Sequence, residues 1–160
     1  GYNRVPTGWS VTDGTVDIIG PGFFDLQPGN GYYIDLDGST GNAGVLSTSL
    51  ALTAGLTYTA EFSLAGNLRN AGTESVTVSF GDSQFVYVLP TSQTVTTYSL
   101  AFTPSSSGLF SLSFSNAGGD NYGALLDNVS VTAVPEPQSL ALLLAGVVVT
   151  GAVARRRQLR

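Results

Sequence analysis

The stretch Tyr58-Thr59-Ala60-Glu61-Phe62-Ser63-Leu64 decides the class of this fold. Tyr58, Ala60, Phe62 and Leu64 fall on one side of a period of two, and Thr59, Glu61 and Ser63 fall on the other. That is the pattern of an antiparallel strand with one face packed and one face wet. The same alternation recurs in Val76, Val78 and Phe80, in Tyr98, Leu100 and Phe102, and in Phe110, Leu112 and Phe114. Shorter candidate strands are Thr15–Ile19, Tyr32–Leu36, Val45–Leu52, Phe85–Leu89 and Leu125–Val131. Turn signals separate them, among them Asp13-Gly14, Pro28-Gly29-Asn30-Gly31, Asp37-Gly38 and Gly118-Gly119-Asp120. Nine or ten short strands with regular turns predict an all-β protein, an antiparallel two-sheet sandwich of jelly-roll type over residues 1–134.

Composition agrees with this. Charged residues make up 11% of the 160 residues, against roughly 25% in ordinary soluble domains. Ser, Thr, Gly and Asn take their place, a mixture suited to strands and turns. Cysteine, methionine, histidine and lysine are absent. No disulfide can hold the fold, so its core or a bound cation must do so. Up to Val134 the chain has ten carboxylates and only Arg4 and Arg69 against them. An acidic surface of this kind repels phosphate and argues against nucleic acid as a partner.

The C-terminal 26 residues read differently. Pro135-Glu136-Pro137 is followed by an uncharged apolar run, residues 140–154, and then by Arg155-Arg156-Arg157. As a helix the run spans roughly 22 Å, short of the ~30 Å hydrocarbon core. The arginines would remain on the cytoplasmic side and everything before Pro135 outside. In order and content the segment resembles the PEP-CTERM sorting signal of exopolysaccharide-producing Gram-negative bacteria. The resemblance implies recognition by an exosortase-like membrane protease, with an inner-membrane intermediate before release to the envelope surface or extracellular matrix.

Gly8-Trp9, the strands around Phe62, Leu100 and Leu112, and the ending Leu126-Asp127-Asn128-Val129-Ser130-Val131 resemble galactose-binding-like carbohydrate-binding modules. Members of that group are jelly rolls; many hold a structural calcium and some bind sugars. Such modules open with a strand that precedes the first residue here, so an N-terminal strand is expected to be missing.

Asp127 shares sequence phase with Leu125, Val129 and Val131 and is expected to face the core, where an unpaired carboxylate costs several kcal/mol. A calcium ion would relieve it, and the resemblance implies the same for the Asp of this closing segment. Asp35 and Asp37 lie on one strand face before a turn, and either could add an oxygen to calcium; the plainer reading is of solvated turn-capping residues. The spacing does not make an EF-hand, because Gly38 follows directly and Leu46 stands where the closing Glu belongs.

Catalysis would have to do without His, Cys or Lys, which leaves only paired carboxylates. Two on a single strand do not flank a glycosidic bond, and no enzymatic activity is expected. A sugar site needs an aromatic platform with amide or carboxylate partners. Trp9, Tyr32, Tyr33, Tyr87 and Tyr122 are candidate rings, with Asn67, Arg69, Asn70, Asp120 and Asn121 beside them. Tyr122 in its glycine-rich loop, with Asn121, Asp120 and Tyr33, leads that set, whereas Trp9 is expected in the core. Two functions follow. One is a structural or adhesive role in exopolysaccharide or biofilm; the other is calcium-dependent carbohydrate binding. Exposed aromatics gathered at a rim would favour the second.

Overall fold

The computed structural model describes residues 1–135, which form two five-stranded antiparallel sheets. In chain order the strands are β1 (Ser10–Thr12), β2 (Asp17–Ile19), β3 (Tyr33–Asp35), β4 (Val45–Leu52), β5 (Thr57–Ala65), β6 (Glu74–Phe80), β7 (Ser83–Leu89), β8 (Thr96–Phe102), β9 (Gly108–Asn116) and β10 (Leu125–Val134). Sheet one runs β1-β4-β9-β6-β7 and sheet two runs β2-β3-β10-β5-β8. The expected jelly-roll sandwich is present. β1 was not foreseen, since three residues are too few to display a period, while β2 and β3 are shorter than their predicted runs. The predicted helix at 140–154 lies outside the described residues.

The inward sides of the long strands meet between the sheets. Phe62 from β5 touches Phe114 of β9 edge-on at 5.2 Å and Tyr87 of β7 at 5.5 Å, joining the two layers. Phe62, Phe80, Phe114, Leu64, Leu89 and Leu112 are all fully buried, each contributing about 1.5–3 kcal/mol from burial. Trp9 lies half-buried against Phe114 at 6.0 Å, the core role its position suggested.

The outward side of sheet one is a field of hydroxyls. Ser10, Ser47, Ser113, Ser79 and Gln84 stand in one row across all five strands. Thr12, Val45, Ser115, Thr77 and Val86 form the next. Neither row has a ring or a charge, so this face lacks the aromatic platform that sugar binding requires.

Sheet two is different. Between Asp127 and Ser130 the β10–β5 register slips by one residue, and Asn128 takes a left-handed φ of 52°. This β-bulge shifts the side-chain phase. Leu126 belongs to the main core, whereas Leu125 joins Ile19, Tyr33 and Ala65 in a second cluster on the outer face of the sheet, covered by Phe23 and Leu26. Asp127 shares that outer face, so the expectation that it points into the core is wrong. Sequence phase was carried straight through a bulge that no residue type announces.

Candidate functional site

The outer face of sheet two brings carboxylates together at its β2–β3 end. Asp17 of β2 and Asp35 of β3 stand directly opposite each other in register. Both are buried, and so is Asp37 just beyond, at 1% exposure. The reading of Asp35 and Asp37 as solvated turn residues is thereby overturned. The loop Gly118–Ala124 closes over them, and Gly123 is what permits the approach. A Cβ there would collide with the Asp35 carboxylate and the Asp37 backbone. In its absence the Gly123 N–H donates to Asp35 Oδ1 at 3.0 Å, and the Asp37 N–H donates to the same atom at 3.1 Å.

Arg69 supplies the cation. It lies in a short loop after β5 whose two neighbours, Leu68 and Asn70, both adopt left-handed φ values of 55° and 57°. Such a conformation is uncommon for a non-glycine residue and costs free energy that surrounding contacts must offset. Buried Asn67 provides much of that support. It donates to Glu74 at 2.9 Å and accepts from the Arg69 N–H at 2.9 Å, while the Leu68 N–H donates to the Thr91 carbonyl at 2.9 Å. Held in this way, the guanidinium donates from Nη2 to Asp35 Oδ2 at 2.7 Å. Its flat faces are covered by the Tyr122 ring at 4.5 Å and the Phe24 ring at 5.3 Å. Phe24 has a φ of 51°, a further left-handed position, and is half-exposed.

The result is a pocket of about 330 Å³ lined by Tyr2, Asp17, Phe24, Asp35, Ser39, Arg69, Asn121 and Tyr122. Its electrostatics are tense. Burial pushes the Asp35 carboxyl up to about 7, against the pull of Arg69. Asp37 is pushed up to about 6, first by burial and then by the charges of Asp120 and Glu74. Both Asp37 oxygens are buried without a hydrogen-bond partner, as is Arg69 Nε. Such unmet groups cost free energy in a protein interior.

Residues 1–132 match the family described as "Protein of unknown function (DUF642)". The chain belongs to that family. In this DUF642 chain residues 133–158 match the PEP-CTERM protein-sorting motif, which marks it as an exported, envelope-targeted protein. No match is found among curated proteins. Among solved structures the chain is similar to the CBM22-1 xylan-binding domain of Paenibacillus barcinonensis Xyn10C, with TM-score 0.58 and 13% identity over 84% of this chain and 91% of that one. It is also similar to TmCBM61 in complex with β-1,4-galactotriose, with TM-score 0.55 and 16% identity over 80% and 90%. A further likeness, to the enzymatically active domain of bacteriophage CBA120 tailspike protein 4, has TM-score 0.52 and 17% identity. It covers 80% of this chain and 20% of the tailspike chain. At these identities the likeness shows the fold.

The sites expected for the DUF642 domain are partly assembled and partly dispersed. Tyr122 and Asn121 line the pocket, and Asp120 caps the turn that presents them, accepting from the Tyr122 N–H at 2.8 Å. Tyr33 is not available to a ligand. It is buried, and its hydroxyl donates to Asp25 and accepts from the Leu26 and Gln27 N–H groups, holding the covering loop. Tyr87 is likewise buried in the core. The set Asp127, Asp37 and Asp35 does not converge. Asp127 accepts from Asn30 Nδ2 at 2.9 Å and from the Asn128 N–H at 2.7 Å, while Asp35 is committed to Arg69. Among the described residues no three acidic or other metal-ligating side chains are disposed to hold an ion. Glu136, Pro137, Arg155, Arg156 and Arg157 of the sorting motif lie outside the described residues, which end at Pro135.

Sequence reasoning missed Phe24, Tyr2 and Asp17. Phe24 follows Pro21-Gly22-Phe23, a turn in which one ring faces in and the next faces out. Two adjacent aromatics in a glycine-rich loop were the available signal.

Proposed function

We propose that this domain is a non-catalytic carbohydrate-binding module that attaches the exported protein to exopolysaccharide in the matrix. The observation that carries the reading is the Arg69 pocket. Rings from Tyr122 and Phe24 converge with Asn121, Ser39 and two carboxylates in a space suited to one or two sugar rings. Such a combination of flat apolar surface and convergent hydrogen-bonding groups is what sugar recognition requires. The solved relatives named for xylan and galactotriose support the reading by their fold. The sorting tail supports the location. An exosortase-like protease would act near Pro135-Glu136-Pro137, with Pro135 as the boundary between sandwich and tail. The protein would pass through an inner-membrane intermediate in a Gram-negative cell.

The test is binding of the chain to a panel of bacterial polysaccharides, alongside Tyr122→Ala and Phe24→Ala. Affinity for a bound polysaccharide should fall on the order of tenfold or more in each, as for other anchoring aromatics. Unchanged binding in both variants would remove the pocket from the account. No binding by the folded wild type would leave a structural matrix role.

A second reading concerns calcium. Asp37, rather than Asp127, is the place for it, because its two buried oxygens have no partner. Calcium would then raise the melting temperature of the wild type and leave that of Asp37→Asn unmoved. An equal response in both would end this reading.

A further inference from the structure

β7 closes one edge of sheet one, hydrogen-bonded to β6 on one side only. Its register with β6 runs unbroken from Glu74↔Leu89 to Phe80↔Ser83. The sequence Ser83-Gln84-Phe85-Val86-Tyr87-Val88-Leu89 contains no charge and no proline. Phe85, Val86 and Val88 are 55%, 50% and 63% exposed. Exported and cytosolic proteins alike guard such edges with lysine, proline, a bulge or brevity. β7 has none of these, and along its free side the outward N–H and C=O groups form a row at strand spacing.

We propose that β7 is the interface of a homodimer, in which two copies pair antiparallel about a twofold axis and join their sheets edge to edge. A row of backbone donors and acceptors is satisfied by a polypeptide strand rather than by a sugar. Charge selects a second copy as that strand. The described residues carry ten carboxylates against two arginines, so most pairs of faces would bring like charges together. β7 is uncharged, and so is the outward side of β6, formed by Ser75, Thr77 and Ser79. An axis through Val86 sets that residue against its own copy and Gln84 against Val88 on the outward side. On the inward side it sets Phe85 against Tyr87, extending the ring contact these two already make within one chain at 4.8 Å. The pairing is therefore self-complementary, as a twofold interface must be. Asp82, in the turn before β7, would lie about 27 Å from its copy at roughly 3.4 Å per residue, well beyond the ~8 Å screening length.

The chain has no cysteine, so single cysteines report the pairing directly. The full chain in detergent is oxidised mildly as Val86→Cys, as an equimolar mixture of Gln84→Cys and Val88→Cys, and as Leu109→Cys. Leu109 is 75% exposed on β9 and serves as the collision control. Facing positions in an antiparallel pair lie within disulfide reach. Val86→Cys and the mixture should form disulfide-linked dimers at least tenfold faster than Leu109→Cys. Val86→Lys should be monomeric by light scattering, with unchanged circular dichroism. Linkage no faster than at Leu109, or an assembly that survives Val86→Lys, would overturn the proposal. Failure here leaves the sugar pocket untouched, since the two share no residue.

Discussion

Asp37→Asn should stabilise this protein when divalent cations are chelated, although it removes a charge from the middle of a conserved-looking polar cluster. The carboxylate is almost wholly inaccessible, its oxygens meet no donor, and Asp120 and Glu74 repel it. A carboxyl raised from 3.8 to about 6 disfavours the folded state at high pH by about 3 kcal/mol if taken at full weight. Discounting for solvent screening of a group one layer below the surface leaves about 1–2 kcal/mol. The sign follows from proton uptake. Because the folded pKa exceeds the unfolded one, the folded state binds the proton more tightly. Wild-type stability is therefore greatest in acid and declines as pH rises from about 4 to about 6. The neutral amide does not titrate, so the advantage of Asp37→Asn should be absent at pH 3.5, grow across that window and level off above it. Thermal unfolding in chelator at pH 3.5, 5, 6.5 and 8 measures this. The expected gain at pH 8 is a rise of about 4–8 °C, at about 4 °C per kcal/mol for a domain of this size. A loss of stability at pH 8, or a difference that does not change with pH, would refute the reasoning. Either would mean that Asp37 is held ionised by a favourable partner.

Arg69→Leu should destabilise the fold at pH 8 by about 3 kcal/mol, because it strands buried Asp35 without its cation. At pH 5, below the raised Asp35 pKa of about 7, the carboxyl is protonated with or without Arg69. Denaturant titrations at the two pH values should show the cost shrinking in acid, and an equal cost at both would show that the ion pair is not its source. Gly123→Ala should lose about 1–3 kcal/mol, because a Cβ there collides with the Asp35 carboxylate and the Asp37 backbone. Its melting temperature should fall by about 4–12 °C at about 4 °C per kcal/mol, whereas the same change at Gly55, where nothing lies near the added Cβ, should cost less.

The layers of this molecule differ in how openly the sequence announces them. β5, β6, β8 and β9 were legible because each buries one face for its whole length, and an unbroken period of two survives translation into a sheet. The rim was not legible, because its geometry depends on exceptions to that period. Asp127 illustrates the difficulty. Its neighbours Leu125, Val129 and Val131 imply one phase, yet the bulge at Asn128 puts Leu125 and Asp127 on the opposite face from the two valines. The Asp35 and Asp37 pair illustrates the converse, since a motif that reads as a wet turn is buried once Gly123 lets a loop from nearly ninety residues away close over it.

The same contrast bears on function. The strands that sequence reveals most clearly build sheet one, whose outward face has hydroxyls and no ring. The residues that could grip a ligand come instead from the connections. Phe24, Leu68 and Asn70 each hold a left-handed φ that only a well-supported loop can maintain. Relaxing any of these loops would release Arg69 from the stack between Phe24 and Tyr122, and with it the counter-charge of Asp35. Sugar affinity and stability of the acidic rim are thus linked through one arginine. A polysaccharide that packs on the exposed edges of those two rings would tighten the stack and stabilise the rim by its binding free energy. Saturating ligand at a hundred times its dissociation constant would add about 2.7 kcal/mol by that relation. The wild type would show that gain, and Arg69→Leu, with its stack dismantled, would show far less of it at the same ligand concentration. If both variants gained equally, the sugar would be binding elsewhere on the sandwich.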